Sequence, residues 1–313
     1  MPIEYHLPVM LNECLDGLNI RPDGTYVDVT FGGGGHSRAI LQQLGPEGRL
    51  FAFDQDSDAL ANALPDPRFH LIHENFRFLK SFLRLNGVRR IDGLIADLGV
   101  SSHQFDEASR GFSIRSEGAL DLRMDQRQPS TAADLVNSLE EAELSRILSL
   151  YGELPNARAM AKAICTARKE NPIATTTQLC EAVRRHLPRN HENKYLAMLF
   201  QALRIEVNGE LDALRAMLQQ AVELLNPEGR LVVMSYHSLE DRLVKNFFRS
   251  GNFEGEIHKD FFGNPLVDLR IISRKAITPS EEELQRNNRS RSAKLRIAEK
   301  LDNPSFQNVD TNN

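Results

Sequence analysis

A run of four glycines followed by a histidine, Gly32-Gly33-Gly34-Gly35-His36, is the feature of this chain with the clearest chemical meaning. It lies between a β-branched run at residues 25–29 and a stretch of helical character at residues 37–41. Glycines let the backbone approach a ligand closely, and the amides at a helix start favour polar or negative groups. The pattern predicts a ligand site at this turn, although a tight turn without a ligand also fits the glycines alone.

An acidic residue, Asp54, ends the next predicted strand and completes that site. Its carboxylate can accept hydrogen bonds from ribose hydroxyls, so the turn and the acid together favour an adenosine-type cofactor. They do not name it, because Ser37 stands where a dinucleotide fingerprint has its third glycine. His36 is typical of a polar helix start, and we assign it a backbone role rather than a catalytic one.

A second acid, Asp97, ends the fourth predicted strand in the segment Asp97-Leu98-Gly99-Val100-Ser101-Ser102. A carboxylate there could accept hydrogen bonds from a substrate amine or from the amino group of the cofactor. The spacing alone fits equally well a carboxylate that caps a helix or lies in a loop.

Serine, histidine and aspartate occur together in Ser235-Tyr236-His237-Ser238-Leu239-Glu240-Asp241, after the fifth predicted strand. A hydrolase triad is not predicted, because no GxSxG elbow is present and neighbours in sequence do not have triad geometry. We assign Ser238 and Asp241 to the capping of the next helix, which leaves His237 as a candidate substrate contact.

The elements that must position these residues alternate through the first hundred positions. Strands are predicted at residues 25–29, 49–54, 69–72 and 91–97, with helices at 37–41 and around 76–85. Such alternation is typical of βαβ units in a parallel sheet that helices cover on both faces. The predicted fold class is therefore α/β, with the candidate site at the carboxyl ends of the strands.

From about residue 130 to residue 220 the sequence is nearly all helical in character. Two capping boxes predict helix starts there, Thr131 with Asp134 and Ser138 with Glu141. We interpret this region as an all-helical insert that begins just after the fourth strand.

Sheet-like sequence resumes at residues 229–234, after a predicted turn at 226–229. Two later runs, 269–272 and 294–297, are predicted to form an antiparallel hairpin at the sheet edge. The predicted division of the chain is a sheet domain in two parts, 1–105 and 201–300, a helical insert at 106–200, and a disordered tail at 301–313.

The composition is that of a globular protein, with 41% hydrophobic and 26% charged residues. The start of the chain lacks a signal-peptide pattern, and no stretch has the roughly 20 apolar residues of a membrane span. We therefore predict a cytoplasmic protein without a membrane partner. The three cysteines lie far apart and form neither a disulfide pattern nor a CxxC motif, and no metal site is predicted.

The net charge of −5 argues mildly against a general nucleic-acid binder, but the basic residues are unevenly spread. One basic run lies at residues 184–189 and another at 286–296. A single run is best explained as a solvated face, whereas two runs in an acidic protein leave room for a local phosphate-binding face.

The ordered motifs resemble those of the bacterial small-subunit ribosomal RNA methyltransferase H family, also called MraW, from about Val9 to Lys300. The motifs are VDVTFGGGGHS at 27–37, DLGVSS at 97–102, RGFS at 110–113, LDLRMD at 120–125, FQALRI at 200–205, SYHSLEDR at 235–242 and RSAKLR at 291–296. So many motifs in one order make the resemblance far more specific than the glycine turn alone.

The resemblance implies an S-adenosyl-L-methionine-dependent enzyme that methylates the exocyclic N4 of one cytidine in the decoding centre of 16S rRNA. The implied partner is 16S rRNA within the 30S subunit, and the oligomeric state is left open between monomer and homodimer. The implied fold is a class I, Rossmann-like methyltransferase sheet interrupted by a helical substrate-recognition domain.

The resemblance also implies which residues contact the cofactor. Carried over position by position, they are Gly34, Gly35, His36, Asp54, Phe76, Asp97 and Gln104. Phe78 and Phe82 are alternatives to Phe76, because the start of that helix is not fixed by the sequence. Many family members have a larger residue at Gly33, a difference that backbone contacts would not sense.

The catalytic group is less clearly marked than the cofactor contacts. Many amino-methyltransferases have an acid-Pro-Pro-aromatic motif after the fourth strand, whereas this chain has Asp97-Leu98-Gly99-Val100. We take Asp97 as the hypothetical proton acceptor. Arg110 and Arg123 either hold the RNA backbone or pair with neighbouring acids, and the sequence favours neither.

Two other classes of function fit parts of the pattern. An NAD-dependent dehydrogenase shares the strand, the glycine turn and the acid, and comparing S-adenosylhomocysteine binding with NAD binding would distinguish it. A non-catalytic RNA-binding or assembly factor could keep the fold without the chemistry, and an assay of methyl incorporation would distinguish that one.

Overall fold

The computed structural model describes residues 8–302, and its central feature within that range is a seven-stranded sheet. The strands are β1 (Thr25–Asp28), β2 (Arg49–Asp54), β3 (Phe69–His73), β4 (Ile91–Asp97), β5 (Leu225–Ser235), β6 (Leu269–Ile271) and β7 (Lys294–Lys300). Their order is β3-β2-β1-β4-β5-β7-β6. Strands β1 to β5 pair in parallel, and β7 is antiparallel to both β5 and β6. The α/β prediction is confirmed.

The four strands predicted in the first hundred residues are all present, and β2 and β4 have the predicted bounds. Strand β1 is buried along its whole length, and four consecutive residues of β2 are buried as well. Continuous burial is expected for strands of a parallel sheet that is covered on both faces. Strands β6 and β7 form the predicted antiparallel pair, but only β6 lies at the edge, because β7 inserts between β5 and β6.

The turn predicted at residues 226–229 is wrong, because these residues belong to β5 and form a bulge in it. Ile91 pairs with Leu225, whereas Gly93 already pairs with Arg230, so the β5 segment between these two pairs is longer than the β4 segment and forms an arch. Within the arch Glu228 has a left-handed φ of 65°. Proline and glycine within a strand commonly mark such a bulge. The sequence pattern alone does not distinguish a bulge from a turn that reverses the chain.

Contacts between residues divide the chain into two compact units. Among the described residues, unit 1 comprises residues 8–99 and 212–302, and unit 2 comprises Val100–Leu211. The helices of unit 1 are α1 (Leu11–Leu18), α2 (Gly35–Gln43), α3 (Leu79–Leu85), α11 (Ser238–Ser250) and α12 (Glu281–Arg286), and α10 (Glu210–Leu224) begins in unit 2 and continues into unit 1. The functional division of the chain at residues 105 and 200 stays a prediction.

The regular elements of unit 2 are helices. They are α4 (Ser102–Asp106), α5 (Ala132–Ser138), α6 (Glu141–Leu150), α7 (Ala157–Glu170), α8 (Thr176–Val183) and α9 (Glu192–Asn208). Helices α6 and α7 contribute fully buried side chains such as Leu144, Ile147 and Met160 to a hydrophobic core of its own. An isolated antiparallel bridge also joins Ala119 to Thr175.

Of the two predicted capping boxes, the one at Thr131 and Asp134 is confirmed at the start of α5. The one at Ser138 and Glu141 is wrong. Ser138 ends α5 and donates its hydroxyl to the Asp134 carbonyl, 2.6 Å away, and α6 begins without a side-chain cap. The hydroxyl is used by the helix that ends, so it does not serve the helix that begins.

Two sequence predictions concern the ends and the surroundings of the chain. The predicted disordered tail falls outside the described residues except for Leu301 and Asp302, and the start without a signal-peptide pattern lies outside them as well. Across residues 8–302, no helix has both the length and the apolar character that crossing a bilayer requires.

Candidate functional site

Three aspartates lie at one edge of the sheet, at the carboxyl ends of adjacent parallel strands. Asp28 ends β1, Asp54 ends β2 and Asp97 ends β4. Because β1 lies between β2 and β4, the turn that follows β1 emerges between Asp54 and Asp97. In sheets of this kind, ligands bind at the carboxyl edge of the strands.

The glycine turn connects β1 to α2 through left-handed backbone conformations that favour glycine. Gly32 has a φ of 50° and Gly34 a φ of 73°. A Cβ on Gly34 would also lie 2.9 Å from the ring of Phe31. Gly34 precedes α2, and none of the described side chains caps this helix start. The first amides of α2 are therefore candidates for binding a ligand.

Asp54 is fastened to the glycine turn by backbone hydrogen bonds. Its Oδ2 accepts from the Gly32 amide at 2.7 Å, and its Oδ1 accepts from the Asp56 amide at 2.9 Å. Burial raises the pKa of Asp54 to about 6, while these two amide hydrogen bonds oppose the shift. Each carboxylate oxygen can accept a further hydrogen bond, so Asp54 can brace the turn and still bind a hydroxyl.

Asp97 is held by side chains. Its amide donates to the Thr30 hydroxyl at 2.7 Å, and its Oδ1 accepts from the Tyr236 hydroxyl at 2.8 Å. Its Oδ2 lies 3.9 Å from Nδ1 of His36. Burial raises the pKa of Asp97 to about 6, and His36 and Tyr236 oppose that rise. The side chain keeps 24% of its surface exposed, which suits a group that receives a ligand.

Asp28 is a member of this cluster that the sequence analysis did not single out. It is 1% exposed, and its carboxylate accepts from the Ser37 hydroxyl at 2.7 Å and from the Thr30 amide at 3.0 Å. These bonds tie the end of β1 to the first turn of α2. The sequence contained a signal for Asp28, since an acidic residue within an apolar strand must have hydrogen-bond donors nearby when it is buried.

His36 is buried in the first turn of α2, and its Nε2 lies 3.2 Å from the carbonyl oxygen of Val9. A ring nitrogen at that distance from a carbonyl oxygen acts as a donor. The side chain therefore anchors the segment that precedes α1. The backbone role assigned to His36 toward a ligand stays a prediction.

Phe76 follows β3 and begins a short 3₁₀ turn, Phe76–Phe78, that leads into α3. The turn starts at Asn75, whose Oδ1 accepts from the Arg77 amide at 2.9 Å and whose Nδ2 donates to Gln55 at 2.6 Å. That second bond links the loop after β3 to the loop after β2. Phe76 thus lies at the same sheet edge as the three aspartates, half-buried, while Phe78 is 46% exposed.

Gln104 belongs to unit 2, where it lies on α4 and is 4% exposed. Its Oε1 accepts from the Ser101 amide at 3.1 Å, and its own amide donates to the Ser101 hydroxyl at 3.1 Å. The structure thus brings six of the seven predicted cofactor residues to one edge of unit 1 and places Gln104 in a capping box of unit 2. A contact of Gln104 with the cofactor stays a prediction.

The capping roles predicted for Ser238 and Asp241 are wrong. His237 is the capping residue of α11, with its Nδ1 3.4 Å from the Glu240 amide, and Glu240 in turn accepts from the Tyr236 amide at 2.9 Å. Asp241 instead accepts from Arg296 of β7 at 2.7 Å. His237 and Glu240 together form the capping box of α11, so Asp241 is not needed as a cap and binds Arg296 of β7 instead. The substrate contact of His237 stays a prediction.

The two basic runs differ in their ion pairing. In the later run Arg286 pairs with Glu282, and both Lys294 and Arg296 pair with Asp241. In the earlier run, which follows α8, Arg184 pairs with Glu181 at 3.0 Å. The other cations there, Arg185 and Arg189, are exposed, as is Lys194 at the start of α9. The later run mainly supports the fold of unit 1.

For Arg123 the structure favours an intramolecular role, and for Arg110 it does the same. Arg123 forms a two-pronged ion pair with Asp121, with both N–O distances at 2.8 Å. Arg110 is 2% exposed and donates to the carbonyl of Arg123 at 3.0 Å and to that of Met124 at 3.1 Å. Both arginines therefore order the loop that follows α4 in unit 2.

Comparison with known proteins places the chain in a family. Residues 4–301 match the model of the MraW methylase family. The protein named ribosomal RNA small subunit methyltransferase H from Flavobacterium johnsoniae is 57% identical over 299 residues, which cover 96% of this chain and 99% of that protein. The protein of the same name from Bacteroides thetaiotaomicron is 55% identical over 298 residues, or 95% and 98% of the two chains.

Among solved structures, a putative rRNA methylase from Clostridium thermocellum aligns with 94% of this chain and 99% of its own, at a TM-score of 0.43 and 14% identity. The family model and the two relatives span nearly the whole sequence. The chain belongs to the MraW methylase family.

Proposed function

We propose that this protein transfers a methyl group from S-adenosyl-L-methionine to the exocyclic N4 of a cytidine in the decoding centre of 16S rRNA. Membership of a methylase family and the names of its relatives support methyl transfer to small-subunit ribosomal RNA. The cytidine and its N4 come from the resemblance of the motifs. Family membership also favours this function over the dehydrogenase that shares the glycine turn and the acid.

The observation that carries the proposal is the pair Asp54 and Asp97, one on each side of the glycine turn. Asp54 has oxygen lone pairs for the ribose hydroxyls, and the uncapped start of α2 offers amides beside it. Oδ2 of Asp97 lies beyond hydrogen-bonding distance of His36 and is suited to accept from an amino group. These residues fit S-adenosyl-L-methionine, which supplies an electrophilic methyl group on its sulfonium when bound.

The residues proposed to hold the cofactor share the carboxyl edge of the sheet, apart from one in unit 2. They are Gly34, Gly35, His36, Asp54, Phe76, Asp97 and, from unit 2, Gln104. Holding two reactants in line lowers the entropic part of the barrier, so positioning supplies much of the rate. The hydrogen bonds that fix Asp54 to the glycine turn and Asp97 to Tyr236 support such a positioning role.

Asp97 is also the proposed proton acceptor. The lone pair of cytosine N4 is delocalised into the ring, so an acceptor for its hydrogen localises the pair and removes the proton as the new bond forms. With its pKa raised to about 6, Asp97 is a stronger base than an ordinary aspartate and is still ionised at neutral pH. Its Oδ2 is the atom proposed to accept.

The target base must leave its stack to reach such an edge, so the enzyme needs contacts that hold the RNA around it. The exposed cations Arg185, Arg189 and Lys194 of unit 2 are proposed to bind RNA phosphates. Assembled 30S subunits are the proposed form of the substrate.

Methyl incorporation tests the proposal directly. Purified protein with labelled S-adenosyl-L-methionine is incubated with 30S subunits or with protein-free 16S rRNA. We expect label in 30S subunits, and mass-spectrometric mapping should place it on N4 of a single cytidine. Label on another nucleotide would refute the cytidine assignment, and no label in either substrate would refute the enzyme. Label only in free rRNA would refute the 30S particle as substrate.

Cofactor identity is tested by calorimetry with S-adenosylhomocysteine and with NAD. We expect binding of the first alone. Binding of NAD without S-adenosylhomocysteine would refute the methyltransferase and favour the dehydrogenase alternative.

A further inference from the structure

Tyr236 is the first residue after β5, and its position is fixed at both ends. Its amide donates to Oε2 of Glu240 at 2.9 Å, within the capping box of α11. Its hydroxyl donates to Oδ1 of Asp97 at 2.8 Å. The ring lies beside Gly99, in the segment that follows β4, and a Cβ on Gly99 would be 3.5 Å from it. The tyrosine therefore joins the end of β5 to the end of β4.

The hydrogen bond makes the two oxygens of Asp97 unequal. Oδ1 is taken by Tyr236, whereas Oδ2 faces Nδ1 of His36 across 3.9 Å, a distance too long for a hydrogen bond. The backbone of Asp97 is fixed separately, through the bond from its amide to Thr30. One oxygen thus orients the carboxylate, and the other can accept a hydrogen bond from a ligand.

We propose that Tyr236 is a positioning residue, which occupies Oδ1 of Asp97 and so presents Oδ2 to the amine that approaches this edge. The inference rests on the proposed function, which brings an amine of the cofactor or of the cytidine to Asp97. Tyr236 itself contacts neither in this role. It acts by fixing the rotamer and the charge of Asp97.

The protonation states suit this role. Burial and the adjacent Asp97 raise the pKa of the Tyr236 phenol far above neutral pH, so the hydroxyl always has a proton to donate. Burial raises the pKa of the nearby Cys14 thiol well above its usual value, with Asp97 adding to the effect. Cys14 is therefore a neutral neighbour. The hydrogen bond from Tyr236 favours the ionised form of Asp97 and lowers its pKa.

Other charged groups around Asp97 act in both directions. Burial has the largest effect and raises the pKa of Asp97. His36 on α2 lowers it, while Asp28 at the end of β1 and Glu240 on α11 raise it. Removing only the Tyr236 hydroxyl leaves these three groups unchanged. The difference in the pKa of Asp97 between the unaltered protein and a Tyr236→Phe variant therefore reports the effect of the hydroxyl alone.

The test compares Tyr236→Phe with Tyr26→Phe. Tyr26 is 1% exposed in β1, and its hydroxyl accepts from the Arg21 amide at 2.7 Å, away from Asp97. Each variant removes one hydrogen-bonded hydroxyl from unit 1 and keeps the ring. Carbon-13 NMR of aspartate-labelled protein, with the Asp97 signal assigned through Asp97→Asn, gives the pKa of Asp97 directly.

We expect Tyr236→Phe to raise the pKa of Asp97 by about one to two units, the usual effect of losing a hydrogen bond to a charged group. The acid limb of the methyl-transfer rate should move to higher pH by the same amount, with only part of the rate recovered at pH 9, because high pH restores the charge of Asp97 but not its orientation. Tyr26→Phe should change neither. An unshifted Asp97 titration in Tyr236→Phe, or a methyl-transfer rate equal to that of the unaltered protein at every pH, would overturn the proposal.

The NMR titration requires neither cofactor nor RNA, so it separates this inference from the proposed function. A shifted Asp97 pKa in a protein that transfers no methyl group would support the placement of Tyr236 and refute the enzyme. An active enzyme in which Tyr236→Phe does not shift the pKa of Asp97 would support the proposed function and refute the role of Tyr236.

Discussion

Asp54 and Asp97 occupy equivalent places on either side of the glycine turn, yet different groups hold them. Burial raises the pKa of each to about 6. Asp54 is held by the backbone amides of Gly32 and Asp56, whereas the carboxylate of Asp97 is held by the Tyr236 side chain. Backbone amides fix Asp54 as part of the loop framework, which suits binding. A side-chain donor leaves Asp97 one directed oxygen, which suits chemistry.

The largest effect that follows from this contrast concerns Asp97→Asn. The amide keeps the shape of the side chain but cannot accept a proton, so the rate at saturating cofactor should fall about 10²–10⁴-fold. Affinity for S-adenosylhomocysteine should change much less. Single-turnover methyl transfer and calorimetry measure the two quantities. A full rate at saturation combined with a large loss of affinity would assign Asp97 to the cofactor alone.

Asp54→Ala should show the opposite pattern, with affinity for S-adenosylhomocysteine weaker by about 1–3 kcal/mol because charge-assisted hydrogen bonds are lost. Asp92→Ala is the matched control. Asp92 lies at the other end of the sheet, in β4, and accepts from the Thr25 amide at 2.8 Å. Calorimetry of both variants gives the comparison, and an affinity equal to that of the control would remove Asp54 from the site.

A pH series probes what the two carboxylates share. Their pKa is raised on folding from 3.8 to about 6, so the folded chain holds more protons than the unfolded chain between these values. Their contribution to stability is full below pH 4 and is lost as the pH rises through 6. Cofactor affinity should change in the opposite direction, because the ionised groups are the better acceptors.

The measurement is the melting temperature from pH 4.5 to pH 7.5, with and without S-adenosylhomocysteine. We expect the ligand-induced increase in melting temperature to grow as the pH rises through 6. In the Asp54→Ala protein part of that growth should disappear. An increase that is the same at every pH would show that neither carboxylate contacts the ligand.

Substitutions in the basic surface of unit 2 are expected to have the smallest effect on cofactor binding by the two carboxylates. Replacing Arg185, Arg189 and Lys194 together by Gln should leave S-adenosylhomocysteine affinity unchanged. The dependence of log affinity for RNA on log salt should become less steep by about two, as expected for the loss of up to three phosphate contacts. Filter binding of RNA at several salt concentrations measures it.

The control replaces three surface arginines that form ion pairs, of which Arg146 and Arg286 are exposed and Arg215 is half-buried. Arg146 pairs with Glu143, Arg215 with Asp212, and Arg286 with Glu282. Changing these three to Gln removes the same charge, and the salt dependence should stay close to that of the unaltered protein. Equal effects of the two triple variants would mean that net charge, rather than the surface near α9, attracts the RNA.

Much of the site could be predicted because it depends on local pattern. Asp54 and Asp97 end strands whose bounds follow from short apolar runs, and parallel strands bring such ends to one edge. The glycine turn is equally local. The hydrogen bond between Tyr236 and Asp97 joins residues 139 positions apart, and no local pattern contains it.

The errors have a similar physical origin. Ser138 and Asp241 have the residue types of helix caps, but each is bonded to something else: Ser138 to the helix that precedes it and Asp241 to Arg296 of β7. The bulge in β5 depends on its partner strand β4, which pairs on both sides of the arch. Residue type predicts the capacity to cap or to turn, while tertiary contacts decide how that capacity is used.

The pairing of β4 with β5 also determines when the sheet can be completed during synthesis. Residues 1–97 carry all three aspartates, but β4 must wait for β5, and Ile91 pairs with Leu225 only after the whole of unit 2 has left the ribosome. Closing so long a loop is slow. Until then the backbone N–H and C=O groups along the edge of β4 that pairs with β5 are unpaired, so we expect folding of the nascent chain to depend on unit 2 being made promptly.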